Sequence, residues 1–156
     1  AQKTVHGISS FFEVSLLAWL ISGGVFLPRD PATWVLFACA AVLSSLIFFF
    51  LEMLVSSLAF WTSESGGPLF CFELFLQFAA GAFFPLDVLP ENIRRLLAAT
   101  PFPYMVFFPA RVFLEKVPHA EALRLLGAQA AWLAVVVLAA LGLWRVGVKS
   151  YAAEGG

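Results

Sequence analysis

Charged side chains are scarce in this sequence. Asp, Glu, Lys and Arg make up only 12% of its 156 residues, whereas about a quarter is usual for a globular domain. The formal net charge of −1 offers no basic face, which argues against a nucleic-acid partner. Cysteine is also rare. Because Cys39 and Cys71 both lie inside apolar runs, we interpret them as small buried hydrophobic residues without a redox or metal role.

The sequence also lacks the short motifs of common catalytic sites. It has no Gly-x-x-x-x-Gly-Lys-Ser/Thr loop for a nucleotide, no His-Glu-x-x-His, no Cys-x-x-Cys and no Gly-x-Ser-x-Gly. Its two histidines, His6 and His119, lie outside the apolar runs and have no neighbouring ligand cluster. We therefore predict no catalytic residue, no metal site and no cofactor, and expect that this chain is not by itself an enzyme.

Long apolar runs dominate the sequence instead. Between Ala32 and Trp61 the only charged residue is Glu52, and about 20 apolar residues suffice for a helix to cross the bilayer core. Hydrophobic residues make up 62% of the chain and the mean hydropathy is +0.93. We predict an all-α, polytopic transmembrane helical bundle that forms a single domain over residues 1–156. Its four spans are predicted at residues 8–27, 32–62, 69–89 and 122–144.

Two of these runs carry stripes of small and polar residues at helical spacing. Such stripes let helices approach closely within a membrane. We expect both stripes to face other helices, while the Phe and Leu faces contact lipid. Ordinary helix packing is a sufficient explanation for both. The members are Ala38, Ala41, Ser45, Glu52 and Ser56 in the second run, and Glu73, Gln77 and Gly81 in the third.

Three glutamates lie within the apolar runs, and a carboxylate at membrane depth costs several kcal/mol. With antiparallel spans, Glu13, Glu52 and Glu73 fall in the same half of the bilayer. Together with Gln77 they are candidates for a polar path that substrate follows, or for proton coupling. The alternative is structural: the carboxylates snorkel or pair near one membrane face.

A proline-rich connector, residues 85–121, separates the third and fourth runs. Residues 91–100 can form a short amphipathic helix, whereas residues 105–114 are apolar but too short to cross. Irregular backbone at membrane depth survives only where protein or a water cavity satisfies it. We therefore predict that the connector is re-entrant or interfacial and folds back on the bundle. The residues expected to shape it are Pro85, Pro90, Pro101, Pro103, Pro109 and Arg111.

The order of several local motifs resembles a known family. The sequence reads LAFWT at residues 58–62 and AGAFFPLDVLP at 80–90, followed by PFPY at 101–104 and FFPAR at 107–111. A last span then leads to WRVGVKSY at residues 144–151. This pattern resembles the membrane permease subunits of ATP-binding-cassette (ABC) type-2 exporters over essentially the whole chain.

The resemblance implies a bacterial plasma or inner membrane protein with several spans. It implies a cytoplasmic ATP-binding subunit and a second permease subunit, identical or different, as partners besides the lipid bilayer. It also implies that this chain supplies the third to sixth of six spans, with a folded-back hairpin on the outer side. That orientation places three Lys or Arg residues inside and six outside, opposite to the usual bias. Four of the six lie in the long connector.

Three functions remain open from the sequence. The first is a permease in which ATP hydrolysis by a partner moves substrate outward. The second is a proton-coupled secondary transporter that uses Glu52 or Glu73, although no internal repeat of the kind found in such transporters is evident. The third is a membrane assembly subunit that transports nothing.

Overall fold

The computed structural model describes residues 27–61 and 66–154, and within these two ranges it is helical with no strand. The all-α prediction is confirmed over these residues. The first predicted span, apart from Leu27, and its Glu13 lie outside the described residues. The α-helices are α1 (Pro31–Ser56), α2 (Gly66–Ala79), α3 (Glu91–Ala98), α4 (Phe107–Phe113) and α5 (His119–Glu154). Short 3-10 turns lie at Ser57–Phe60, Leu86–Val88 and Phe102–Tyr104.

Helices α1 and α5 are the two that are long and apolar enough to cross a membrane, among the described residues. Helix α1 has 26 residues, and the spanning part of α5 is His119–Lys149. They lie at the positions of the predicted second and fourth spans. A third candidate exists if α3 and the following segment Phe102–Phe113 are counted as one bent span.

Helix α2 ends ten residues before the predicted end of the third span (89 − 79 = 10), so the helix does not extend over the whole predicted span. Gly81 adopts a φ of +78°, a conformation that glycine enters without steric cost. Its N–H donates to Phe78 O at 3.1 Å, and Ala82 N–H donates to Gln77 O at 3.0 Å. These two bonds are those of a Schellman helix end. The 14 residues of α2 rise about 21 Å, less than the roughly 30 Å of a bilayer core.

The start of α1 is held to the start of α5. The Asp30 side chain caps α1 by accepting from Ala32 N–H at 2.9 Å, which satisfies one of the free amides of the first turn. The Glu115 carboxylate accepts from Arg29 N–H at 2.8 Å, and Glu115 itself has a φ of +53°. His119 Nε2 lies 3.2 Å from Asp30 Oδ2. These contacts fix the end of the connector against the beginning of α1.

The core lies where α1 meets α5, α2 and the connector. The buried face of α1 consists of Thr33, Ala40, Ser44, Ile47, Leu51 and Val55. Within it, Ile47 and Leu51 pack in one cluster with Leu76, Met105 and Val136. The members of the stripe predicted to face other helices are mostly exposed beside this face, and Ser45, Glu52 and Ser56 line cavities between α1 and α2. The packing face is set by the position of α5, which residue type alone does not reveal.

Both cysteines are exposed rather than buried. Cys39 on α1 and Cys71 on α2 are free thiols on outward helix faces, so the prediction of buried packing was wrong. A thiol is small and weakly polar, and is therefore compatible with an outward apolar face. In the described part of the chain, no group of three or more His, Cys, Asp or Glu residues could hold a metal ion.

The connector folds onto the bundle. Helix α3 and the segment Phe102–Phe113 meet at 78°. Leu97 of α3 packs with Leu86 and with Ala79 at the end of α2. Phe107 N–H donates to Ala80 O at 3.1 Å, which joins the start of α4 to the end of α2.

Candidate functional site

A groove runs between α1 and α2, and the segment before α4 closes one end of it. It consists of two adjoining cavities that share Phe48 and Leu76 in their walls. One cavity has a volume of about 220 Å³ and the other about 320 Å³. The polar side chains that line what we call the α1–α2 groove are Ser44, Ser45, Glu52, Ser56, Glu73 and Gln77.

The structure brings three of the four predicted path residues into this groove. Glu52 from α1 and Glu73 from α2 line the smaller cavity, and Gln77, one helical turn after Glu73, lines the larger one. The fourth, Glu13, lies outside the described residues. Within the described ranges, neither Glu52 nor Glu73 has a hydrogen bond or an ion pair. Among the residues that the structure describes, no Lys or Arg lines either cavity.

Apolar side chains form the rest of the groove. Phe48 and Phe72 stand on the two helices, with Leu69 and Leu76 beside them. At the other end Met105 and Val106 of the connector contribute. An apolar surface interrupted by a few convergent polar groups is typical of small-molecule sites. The groove therefore suits a molecule with an apolar body that donates hydrogen bonds to carboxylates.

Gln129 was not predicted, although it is the most connected polar residue of the core. It is fully buried on α5, and its amide Nε2 donates to Ala40 O at 2.9 Å and Tyr104 O at 3.0 Å. The same nitrogen lies 3.0 Å from Ser44 Oγ. A single amide thus links α5, α1 and the connector. The signal in the sequence was an isolated glutamine in an otherwise apolar run, which is costly in a membrane unless it is bonded.

The predicted connector residues occupy the bends and helix starts of that segment. Pro85 precedes the 3-10 turn Leu86–Val88, and Pro90 is the N-cap residue of α3. Pro101 and Pro103 lie in the break between α3 and α4, where a continuous helix cannot form.

The two remaining predicted residues lie in α4. Pro109 is buried in its first turn, a place that tolerates proline because the first amides have no helical partner. The Arg111 guanidinium lies 5.5 Å from the centre of the Phe107 ring, a cation–π distance. Its Nε is buried with no hydrogen-bond partner in the described structure. The structure therefore places Arg111 beside Phe107 within the connector and not in the α1–α2 groove.

The aromatic motif after α1 meets the end of α5. The Phe60 ring centre lies 5.2 Å from that of Trp144 and 6.1 Å from that of Trp61, both in edge-on arrangements. Gly147 is buried beneath the ring: a Cβ there would lie 2.8 Å from Phe60 Cγ and 2.9 Å from Cε2. Two motifs that are far apart in the sequence thus form one contact, and it depends on a glycine at position 147.

Comparison with known proteins places the chain in a family. No curated protein and no solved structure matches it significantly. The family described as "ABC-2 family transporter protein" matches residues 5–155, which is 151 residues of the 156 (155 − 5 + 1 = 151). The match includes α1, α5, the groove and the connector. The chain therefore belongs to the ABC-2 family of transporter proteins, a family of membrane permease subunits of ABC transporters.

Proposed function

We propose that this chain is part of a permease that exports a substrate across the bacterial plasma or inner membrane. ATP is hydrolysed by a separate cytoplasmic subunit, and a second permease subunit, identical or different, completes the transporter. The observation that carries this proposal is the family match over 151 residues (155 − 5 + 1). The apolar surfaces of α1 and α5 agree with it, because they carry large exposed side chains such as Val35, Phe49 and Leu138 suited to lipid.

The proposed domain is a single membrane unit over residues 1–156 with four crossings. Helices α1 and α5 provide two of them, and the apolar run at residues 8–27 provides another. Helix α2 provides the remaining one together with the turn that follows it. A crossing this short is accommodated when the bilayer thins locally or when flanking residues snorkel.

The α1–α2 groove is the proposed substrate path. Glu52 and Glu73 both line its smaller cavity and are exposed, and a carboxylate at membrane depth remains costly until a ligand or water satisfies it. Gln77 extends the polar lining towards the connector. We place Glu13 of the first run in the same path, since a span that precedes α1 directly would return beside it.

The connector is proposed as a folded-back hairpin on the outer face that enters the membrane partly. Ile93 and Leu96 of α3 are exposed, whereas Arg95 of the same helix is held by Glu91 at 2.8 Å. This combination suits a helix that lies at the interface with apolar side chains in lipid and charges at the headgroups.

The energy source decides between this proposal and proton-coupled transport. Compounds retained by cells that lack the full-length protein are identified first, by comparing their metabolites with those of cells that contain it. Uptake of those compounds is then measured in inside-out vesicles. An ABC transporter requires ATP and is inhibited by vanadate, and it tolerates a protonophore. Uptake that a protonophore abolishes and vanadate does not affect would establish the secondary transporter instead. The absence of any energised uptake would favour the assembly subunit.

The path itself is tested by removing one negative charge at a time. Glu52→Gln and Glu73→Gln preserve side-chain volume, and Glu121→Gln at the exposed start of α5 is the matched control. We expect both groove variants to insert normally and to transport more slowly than the control. Unchanged transport and stability in both groove variants would refute a role for these carboxylates.

A further inference from the structure

The hydrogen bonds around Gln129 can be arranged in more than one way. The amide has two hydrogens, and three acceptors lie within 3.0 Å of its nitrogen: Ala40 O, Ser44 Oγ and Tyr104 O. The Ser44 hydroxyl has one hydrogen and lies 2.8 Å from Ala40 O and 2.9 Å from Tyr104 O. The hydroxyl hydrogen of Ser44 can therefore turn from Ala40 O to Tyr104 O without movement of a heavy atom, whereas the amide hydrogens of Gln129 are fixed by the amide plane.

The oxygen of the same amide is in a different situation from its nitrogen. Gln129 Oε1 is buried and has no hydrogen-bond partner among the described residues. Reversing the amide would not help, because Oε1 would then face the carbonyl oxygens of Ala40 and Tyr104. A buried acceptor without a donor raises the free energy of the conformation that contains it. An arrangement of α5 that brought a donor to Oε1 would therefore be lower in free energy at this site.

Tyr104 O extends this hydrogen-bond network from the two long helices to the connector. It belongs to the 3-10 turn Phe102–Tyr104, directly after the proline break that separates α3 from α4. Its bonds to Gln129 and Ser44 attach this break to both long helices at once. A displacement of α5 relative to α1 must therefore either carry the connector with it or exchange these bonds.

We propose that Gln129 is a positioning residue that couples movement of α1 and α5 to the connector during transport. The proposal rests on the proposed function, since it requires a nucleotide-driven cycle. Coupling of this kind needs an element with two discrete arrangements that each site can bias. The Ser44 hydroxyl, which can donate to Ala40 O on α1 or to Tyr104 O in the connector, provides two such arrangements beside Gln129.

The test uses the full-length transporter with its ATPase subunit, purified in detergent and otherwise free of reactive cysteines. A single cysteine is placed at Val88 in the connector or at Val146 on α5, both exposed positions. The rate of labelling by a polar maleimide is measured without nucleotide and after trapping with ATP and vanadate. In the parent protein we expect the rate at each position to change by about twofold or more on trapping.

The decisive variant is Gln129→Met, which keeps the volume and removes both donors. We expect it to lose the nucleotide-dependent change at position 88 and to retain the change at position 146. Gln129→Glu, which in its neutral form keeps one donor, should restore part of the response at position 88. The control Leu138→Met alters an exposed side chain of the same helix and should behave like the parent.

Two results would contradict the coupling role of Gln129, and a third, distinguishable from both, would contradict the proposed function. If Gln129→Met keeps the full response at position 88, the coupling role is wrong. If it loses the response at both positions, Gln129 only supports the structure. If the parent protein responds at neither position while its partner hydrolyses ATP, the proposed function fails. Should Gln129→Met not accumulate in the membrane, Gln129→Leu, which also lacks both donors, is judged by the same criteria.

Discussion

Replacing Gly147 by alanine tests the contact between the turn after α1 and the end of α5. The new Cβ would lie 2.8 Å from Phe60 Cγ and 2.9 Å from Cε2, too close for an aromatic ring to remain in place. Phe60 is also packed edge-on to Trp61 and Trp144, so its ring has little room to move. We therefore expect Gly147→Ala to open the α1–α5 contact at this end.

The expected change in the free energy of unfolding of Gly147→Ala follows from two opposing effects. Alanine is favoured over glycine inside a helix by up to about 1 kcal/mol, whereas forcing a methyl group into a packed site costs typically 1–3 kcal/mol. Gly127 and Gly142 lie on the same helix with no atom within 4 Å of an added Cβ. Their alanine variants are matched controls, and they should gain stability or remain unchanged. Gly147→Ala should be less stable than either control by about 1–3 kcal/mol.

The assay is unfolding of the full-length protein by SDS in mixed micelles, followed by the helical circular dichroism. A second substitution, Phe60→Leu, provides a check because it removes the ring that the new methyl group meets. In the Gly147→Ala background it should restore part of the lost stability, so the two effects would be non-additive. If Gly147→Ala matches Gly142→Ala within the error of the measurement, the packing of Phe60 on Gly147 is refuted.

Three further outcomes are expected. Ser44→Ala should destabilise the protein by about 0.6–1.7 kcal/mol in the same assay, as typical for bonds between membrane helices, whereas Ser45→Ala should have little effect because its hydroxyl bonds only within α1. Equal effects of the two serine variants would contradict the role of the Ser44 contact. Isothermal titration of the isolated chain with MgATP should show no heat of binding, and micromolar affinity would contradict the assignment of ATP hydrolysis to a partner. In cells, cysteines at Glu91 and Lys116 should both react with an impermeant thiol reagent from outside, with a cysteine at Phe107 shielded; labelling of the first two from opposite sides would show that the connector crosses.

The long helices were predictable from the sequence because a span depends on local composition. Helices α1 and α5 overlap with the apolar runs predicted at residues 32–62 and 122–144, although α1 ends earlier and α5 extends further at both ends. The end of α2 was not predictable in the same way, because the apolar sequence continues through Phe83 and Phe84 after the helix has stopped. What stops it is the left-handed conformation of Gly81, and glycine is also frequent inside membrane helices, so its presence in the sequence does not mark a helix end.

The candidate site was predictable in part. Glu52, Glu73 and Gln77 stand out as polar residues in apolar runs, and the structure places all three in one groove. The packing face of α1 was missed, since Ala40 and Ser44 are no more distinctive in the sequence than Ala41 and Ser45. Which of them is buried depends on where α5 and Tyr104 lie. These are contacts between residues 60 or more positions apart, and no local pattern encodes them.

Whether a separate ATPase drives this membrane chain is decided by purifying the tagged full-length protein from its native membranes in mild detergent. We expect an ABC-type ATPase subunit to co-purify in fixed stoichiometry and the complex to hydrolyse MgATP in a vanadate-sensitive manner. Replacing the catalytic glutamate of that subunit by glutamine should abolish hydrolysis while the complex stays intact. A protein that purifies without any ATPase subunit, from membranes in which it supports transport, would show that a separate ATPase does not drive it.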